Sequence, residues 1–287
     1  MSNKQLKIVE CPRDAMQGIQ EFIPTEKKIN YIDQLLKVGY DTLDMGSFVS
    51  PKAVPQLKDT ADVLKRIEPA DKKSALLVIV ANKRGAEEAS AFDIIDMMGY
   101  PFSISETFQQ KNTNSSIEES LTRMDKIVNI CERSNKEPVI YVSMAFGNPY
   151  DDEWDEEIAI KWTEKLVKKF GIKKLALADT IAIANPERIS RLFTALIPEF
   201  PDVKFSAHFH TTPENWEQNV KAAYDSGCVK FDAAMNGYGG CPMAKDDLVG
   251  NLSTENLLYY AEENSIEHGL DKREFDKAKR MVSNVFP

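Results

Sequence analysis

Short β-rich apolar runs alternate along this chain with longer segments in which apolar residues recur at helical spacing, and the alternation repeats eight times. The runs predict strands near residues 6–10, 42–45, 75–80, 101–104, 138–144, 174–178, 203–208 and 229–234. Between them, Ile29, Ile32, Leu35 and Leu36 fall on one helical face. Starts such as Thr25-Glu26 and Asn185-Pro186-Glu187 bring the polar residues, proline and acidic first turn that open helices. Strand and helix repeated eight times close most economically as a single α/β (β/α)8 TIM barrel. From Ser253 onward the chain is long enough for an extra C-terminal helical segment, about 254–287. No Pro/Gly/Ser-rich linker or charge block interrupts the pattern, so residues 1–287 read as one catalytic domain.

Composition narrows the setting. The 287 residues are 43% hydrophobic, enough to bury a large core without disulfide staples. Four cysteines, Cys11, Cys131, Cys228 and Cys241, form no CxxC pair, and the first residues lack the apolar stretch of a signal peptide, so a cytoplasmic location is expected. A formal charge of −9 without a basic stripe argues against nucleic acid as a partner. No apolar run reaches the roughly 18 to 20 residues that span a bilayer, so no membrane association is expected. A homo-oligomer is compatible with the sequence, which carries no interface signal of its own.

The candidate chemistry lies where a barrel of this kind keeps its active site, at the carboxyl ends of the strands. His208-Phe209-His210 ends the apolar run Val203–Ala207, and strand alternation puts both imidazoles on one side. Arg13 and Asp14 follow strand 1, Asp44 and Ser47 follow strand 2, Ser143 ends strand 5 and Asp179 ends strand 6. After strand 8 comes the Gly-rich stretch Asn236-Gly237-Tyr238-Gly239-Gly240-Cys241-Pro242, then Asn251 just before Ser253 or Thr254 caps a helix. Two imidazoles with a carboxylate and an amide oxygen suit a divalent metal, with Mg or Mn favoured by the oxygen donors and Zn compatible. Each residue also has a plainer use. Arg13 pairs equally well with Asp14 or Asp179, Asp179 can brace a neighbouring loop, and Cys241 can pack as a small apolar side chain.

Taken in order, these residues and others resemble 3-hydroxy-3-methylglutaryl-CoA lyase. The likeness is carried by Pro12-Arg13-Asp14, Gly46-Ser47-Phe48-Val49-Ser50-Pro51-Lys52-Ala53-Val54-Pro55-Gln56, the stretch from Lys111-Asn112-Thr113 to Glu119-Ser120, Asp179-Thr180-Ile181, His208-Phe209-His210 and Gly239-Gly240-Cys241-Pro242. It runs from Lys7 to about Tyr260. The resemblance implies a TIM barrel that binds Mg or Mn and cleaves its thioester substrate to acetyl-CoA and acetoacetate. It implies that Asp14, His208, His210 and Asn251 ligate the metal. In the same reading Arg13 stabilises the enolate oxygen, Asp179 helps remove the hydroxyl proton, Cys241 protonates the departing carbanion, and Asp44 takes the place of a family glutamate near the metal. Gln17, Ser47, Ser143 and Lys111 are the expected contacts to an acyl-CoA substrate.

The chain departs from the family pattern mainly at the rim. Asp14-Ala15-Met16-Gln17-Gly18-Ile19 stands where the family reads Asp-Gly-Leu-Gln-Asn-Glu, and Asp44 is one methylene shorter than the expected glutamate. Thr211-Thr212-Pro213-Glu214-Asn215 replaces an Asp-Thr-aromatic-Gly pattern, removing a carboxylate that would orient a ligand imidazole. The stretch from Met243 to Gly250 is one residue longer than usual. Other functions compatible with the residues are an aldolase-type lyase or Claisen-type synthase acting on a related hydroxy acid, and a non-catalytic barrel that binds acyl-CoA or metal. A basic groove for CoA phosphates, formed from Lys52, Lys83, Arg84 or Lys111, would favour the first reading.

Overall fold

In the computed structural model, which describes residues 5–68, 72–240 and 249–286, eight parallel strands close into a barrel. They are β1 (Lys7–Glu10), β2 (Thr42–Ser47), β3 (Ala75–Ile79), β4 (Met97–Ser103), β5 (Glu137–Ser143), β6 (Lys174–Asp179), β7 (Lys204–Thr211) and β8 (Lys230–Ala233). Each strand pairs with its sequence neighbours, and the β1–β8 pairing closes the ring. A two-residue strand, β9 (Gly250–Asn251), adds antiparallel to the end of β7. The helices wrap the outside: α1 (Pro12–Gln17), α2 (Thr25–Leu35), α3 (Thr60–Arg66), α4 (Lys83–Ser90), α5 (Glu106–Thr113), α6 (Ile117–Arg133), α7 (Glu156–Phe170), α8 (Pro186–Glu199), α9 (Trp216–Asp225), α10 (Thr254–Glu263) and α11 (Lys272–Val285). The fold is a (β/α)8 TIM barrel, and α11 is the extra C-terminal helix, seated beside α2 with Phe286 edge-on to Tyr31 at 5.8 Å. Among the described residues no helix is long and apolar enough to cross a membrane.

Two strands differ from the expectation in ways that packing explains. The fourth begins at Met97 rather than 101, through Gly99 and Pro101, residues that read as breakers. A Cβ on Gly99 would lie 2.6 Å from Ile79 Cδ1 and 3.0 Å from Tyr141 Cε2, so glycine is what the filled interior admits there. Pairing of β3 with β4 ends at Gly99, so Pro101 sits where β4 has only β5 beside it and its missing N–H costs little. The second strand runs on to Ser47 instead of stopping at 45, which puts Asp44 inside the strand rather than after it. A bulge between Asp44 and Gly46 lets two successive residues face outward, Met45 into the outer core and Gly46 against Thr60 of α3. Asp44 and Ser47 thereby both face inward.

The barrel interior is divided. Leu77, Ile79, Met97, Val139, Tyr141 and Ala176, from β3 to β6, form an apolar inner cluster. The opposite wall, where β7, β8, β1 and β2 meet, carries the buried groups His208, Asp232, Cys11 and Asp44. Phe209, between the two histidines, faces the other way and packs against Phe146 and Phe231 in the outer core. The polar wall is continuous with the upper rim, and the candidate site grows from it.

Candidate active site

At the end of β1, Pro12 starts α1 with its ring where no intrahelical N–H is needed, and the one-and-a-half-turn helix carries Arg13 and Asp14 into the interior. Arg13 is 8% exposed and Asp14 4%. The Arg13 Nε donates to Asp44 Oδ2 at 3.0 Å and its Nη2 to the same oxygen at 2.5 Å, a fork clamped on one carboxylate. Its Nη1 donates to Asp14 Oδ1 at 2.6 Å and to Gln17 Oε1 at 3.0 Å. Four of the five guanidinium N–H groups are thus used within the described residues, leaving one on Nη2. The shorter Asp44 still reaches Arg13, and its role in the geometry is to aim that guanidinium. Burial pushes the Asp44 pKa up to about 6 against the lowering pull of Arg13.

Around Asp14 the other polar groups converge. Gln17 Nε2 donates to Asp14 Oδ1 and Asn251 Nδ2 to Asp14 Oδ2, each at 2.8 Å. Asn251 is the register partner of His210 across β7 and β9. Its Nδ2 also donates to the Tyr238 carbonyl at 2.9 Å, so Oδ1 is the atom it can offer a cation. The His208 and His210 rings lie 5.4 Å apart between centroids. Ligand atoms of Asp14, His208 and His210 all fall within 4.8 Å of one another. Burial raises the Asp14 pKa, but Arg13, the two histidines and Asn251 outweigh it and hold the carboxyl at about 2. Burial, with His208 nearby, holds His210 down at about 4, which leaves the ring neutral at pH 7.

Each imidazole has one nitrogen committed. His208 Nδ1 lies 3.2 Å from Asp232 Oδ2, and His210 Nδ1 lies 2.8 Å from the Thr180 carbonyl. His210 Nε2 is buried and, among the described residues, has no hydrogen-bond partner. An orphaned ring nitrogen facing an ionised carboxylate, with a second imidazole and an amide oxygen beside it, fits a divalent cation of mixed N/O ligation. The carboxylate beside His208 comes from β8, as Asp232.

Above this cluster opens a cavity of about 420 Å³. Its wall includes Arg13, Asp14, Gln17, Ser47, Ser143, Lys111, His208 and His210, bringing together residues from α1, β2, β5, α5 and β7. The Lys111 ammonium lies 4.1 Å from the centre of the Tyr150 ring. Arg123, which sequence reasoning missed, joins Lys111 on that wall, its guanidinium donating to the Thr113 carbonyl at 3.0 Å. Lys83 and Arg84 instead pair with Glu87 and Glu88 along the surface of α4, and Lys52 is exposed.

Asp179 is placed otherwise. Ala178 and Thr180 face the cavity, while the Asp179 carboxylate turns the other way and accepts the backbone N–H groups of Ile183 at 3.1 Å and Ala184 at 2.9 Å. This is the geometry of a loop brace, with its pKa raised by burial to about 6. Cys241 lies outside the described residues. The backbone leading to it is described as far as Gly240, where Gly239 and Gly240 hold φ of +89° and +137°.

Comparison with known proteins identifies the family. The family model HMGL-like matches residues 5–282. A hydroxymethylglutaryl-CoA lyase of Bacillus subtilis is 36% identical over 280 residues, covering 97% of this chain and 92% of its own. A 3-hydroxy-3-isohexenylglutaryl-CoA/hydroxymethylglutaryl-CoA lyase of Pseudomonas aeruginosa is 32% identical over 98% of this chain and 93% of its own. The structure of an HMG-CoA lyase from Acinetobacter baumannii in complex with coenzyme A and 3-methylmalate superposes with a TM-score of 0.90 at 30% identity, covering 99% of this chain and 92% of that one. The chain belongs to the HMGL-like family and is a carbon–carbon lyase.

Proposed function

We propose that the protein cleaves 3-hydroxy-3-methylglutaryl-CoA to acetyl-CoA and acetoacetate with the help of Mg or Mn held by Asp14, His208, His210 and Asn251. The observation that carries this reading is the convergence of Asp14, His208 and His210 with Arg13 on the wall of one cavity, with Asn251 bonded to Asp14 beside them. A divalent ion bound there supplies Lewis acidity towards the substrate's hydroxyl and carbonyl oxygens. Arg13 brings its one remaining N–H to the thioester oxygen, on which negative charge develops as the C–C bond breaks. Because Asp44 and Asp14 fix the guanidinium in advance, no reorganisation is needed as that charge appears. Gln17 ties Arg13 to Asp14, so the two groups keep a fixed spacing. Lys111 and Arg123 stand on the wall where the CoA phosphates can pair, while Val49, Val54, Ile79 and Phe108 give the same cavity an apolar side for the acyl branch. Asp179 acts through the loop it braces, and Cys241 supplies the proton to the carbanion of departing acetyl-CoA.

Acetyl-CoA release by purified protein, with Mn²⁺ or Mg²⁺ added, tests the proposal. HMG-CoA should be turned over, and an analogue with a longer branch at C3 reports how far the apolar wall extends. Cleavage of a hydroxy acid lacking CoA, with HMG-CoA left intact, would replace this reading by the aldolase-type alternative.

A further inference from the structure

We infer that Asp232 is a positioning residue for the lyase reaction: it holds His208 in the tautomer whose Nε2 lone pair faces the metal position. The inference rests on the proposed metal-dependent chemistry and concerns a residue that none of the sequence motifs marks. His208 and Asp232 are register partners on β7 and β8, so their side chains enter the barrel side by side. Asp232 is 3% exposed, and its Oδ2 stands 3.2 Å from His208 Nδ1. On another side the Tyr141 ring meets the imidazole edge-on, with centroids 5.6 Å apart, which limits rotation about its long axis. In neutral imidazole only one nitrogen carries a proton. A carboxylate can accept but not donate, so Asp232 selects the form protonated on Nδ1, and Nε2 is left with its lone pair on the side of Asp14 and His210. The negative charge of Asp232 also makes that lone pair a stronger donor, as carboxylate-backed histidines are in metal sites generally.

The two histidines differ in this respect. His210 is fixed by the neutral Thr180 carbonyl, whereas His208 is backed by a full charge. Asp232 Oδ1 is buried and, among the described residues, unpartnered, so the bond from Oδ2 to His208 is the hydrogen bond that holds this carboxylate at depth. A competing use of the same residues exists, because Cys11, His208 and Asp232 also present ligand atoms within 4.8 Å of one another and would suit an ion of their own. Positioning is favoured because His208 Nδ1 is already bonded to Asp232 Oδ2, and because His208 also lines the open cavity with Asp14 and His210.

The test uses Asp232→Asn, which keeps shape and removes charge and tautomer control. Calorimetric titration with Mn²⁺ should show affinity reduced about 10- to 100-fold, with the unfolding midpoint unchanged. A long-range ¹H–¹⁵N spectrum of the wild-type protein without metal, at a pH where His208 is neutral, should show Nδ1 protonated and Nε2 bare. Equal Mn²⁺ affinity in wild type and Asp232→Asn, or an Nε2–H tautomer in the wild type, overturns the inference. So does a Cys11→Ala variant that loses Mn²⁺ as strongly as Asp232→Asn, since Cys11 and Asp232 would then be ligands themselves. If the wild-type protein binds no Mn²⁺ at all, the metal-dependent reading fails, and the tautomer measurement still decides the role of Asp232.

Discussion

Replacing Glu10 by Gln should make the protein more resistant to alkaline unfolding, and the structure sets the size of the effect. Glu10 is fully buried on the outer side of β1, where its two oxygens accept the Met235 N–H at 2.8 Å and the Thr254 hydroxyl at 2.6 Å. Those two bonds join the end of β8 to the start of α10, the two feet of the segment that carries Tyr238, Gly239 and Asn251 over the site. Burial raises the Glu10 pKa from 4.5 to about 8, against the lowering effect of the bonds to Thr254 and Met235. At roughly 1.4 kcal/mol per pH decade this difference amounts to about 5 kcal/mol, an upper figure because a buried site that opens to water relaxes part of it.

The protonated acid is the form the fold prefers. Its contribution is therefore complete below the unfolded value of 4.5 and is lost as pH rises through about 8. Gln keeps the acceptor for Met235 and cannot ionise, so the variant lacks this loss. Urea unfolding of both proteins from about pH 5 to about pH 9 reads the difference directly, because every other titrating group cancels between them. The wild-type stability should fall relative to Glu10→Gln by several kcal/mol across that range. Parallel curves would show that Glu10 is already ionised in the fold, with its charge stabilised by the two bonds, and the argument from burial would be wrong.

Other perturbations bear on the site itself. His208→Ala should abolish Mn²⁺ binding measured by calorimetry while the circular dichroism melt stays cooperative; full metal occupancy in that variant would remove His208 from the ligand set. Arg13→Lys keeps the charge but cannot span Asp44, Asp14 and a substrate oxygen together, so kcat should drop by at least about a hundredfold, and a change confined to KM would make Arg13 a binding residue. Gly239→Ala places a Cβ 2.6 Å from the Asp14 carbonyl and 2.7 Å from Asn251 Nδ2 at a φ of +89°, and should both lower metal affinity and cost about 1–3 kcal/mol in denaturant unfolding; an unaffected variant would mean the loop shifts freely. Cys241→Ser should sharply reduce turnover with metal affinity nearly unchanged, and an active variant would move the proton to another donor.

The barrel was legible because eight alternations of period-two and helical apolar spacing leave little choice of fold, and because α8 opens as Asn185-Pro186 predicts, with the Asn185 side chain accepting the Arg188 N–H at 3.0 Å. What was not legible depends on contacts between distant strands. Gly99 and Pro101 read as breakers until Tyr141 and Ile79 are seen to fill the space in front of the glycine and β3 to end before the proline. The bulge at Met45 is invisible in a pattern of alternation, yet it decides that Asp44 and Ser47 share one side.

The site divides along the same line. His208 and His210, two residues apart on one strand, declare their common direction through local periodicity alone, whereas Arg13 and Asp14 are marked only by their place just after the first strand. Asp179 sits in an equally recognisable tripeptide, but the last residue of a strand can face either the cavity or the helices, and only the bonds to Ile183 and Ala184 show that it faces the helices. Asp232 is the converse case. It is one acid in a short apolar strand with no neighbour to mark it, and its significance arises only when parallel pairing of β7 and β8 sets it level with His208. An ionisable group in a run that must be buried needs a partner within hydrogen-bond reach, and in a closed barrel the strand next to it is the first place where that partner can stand.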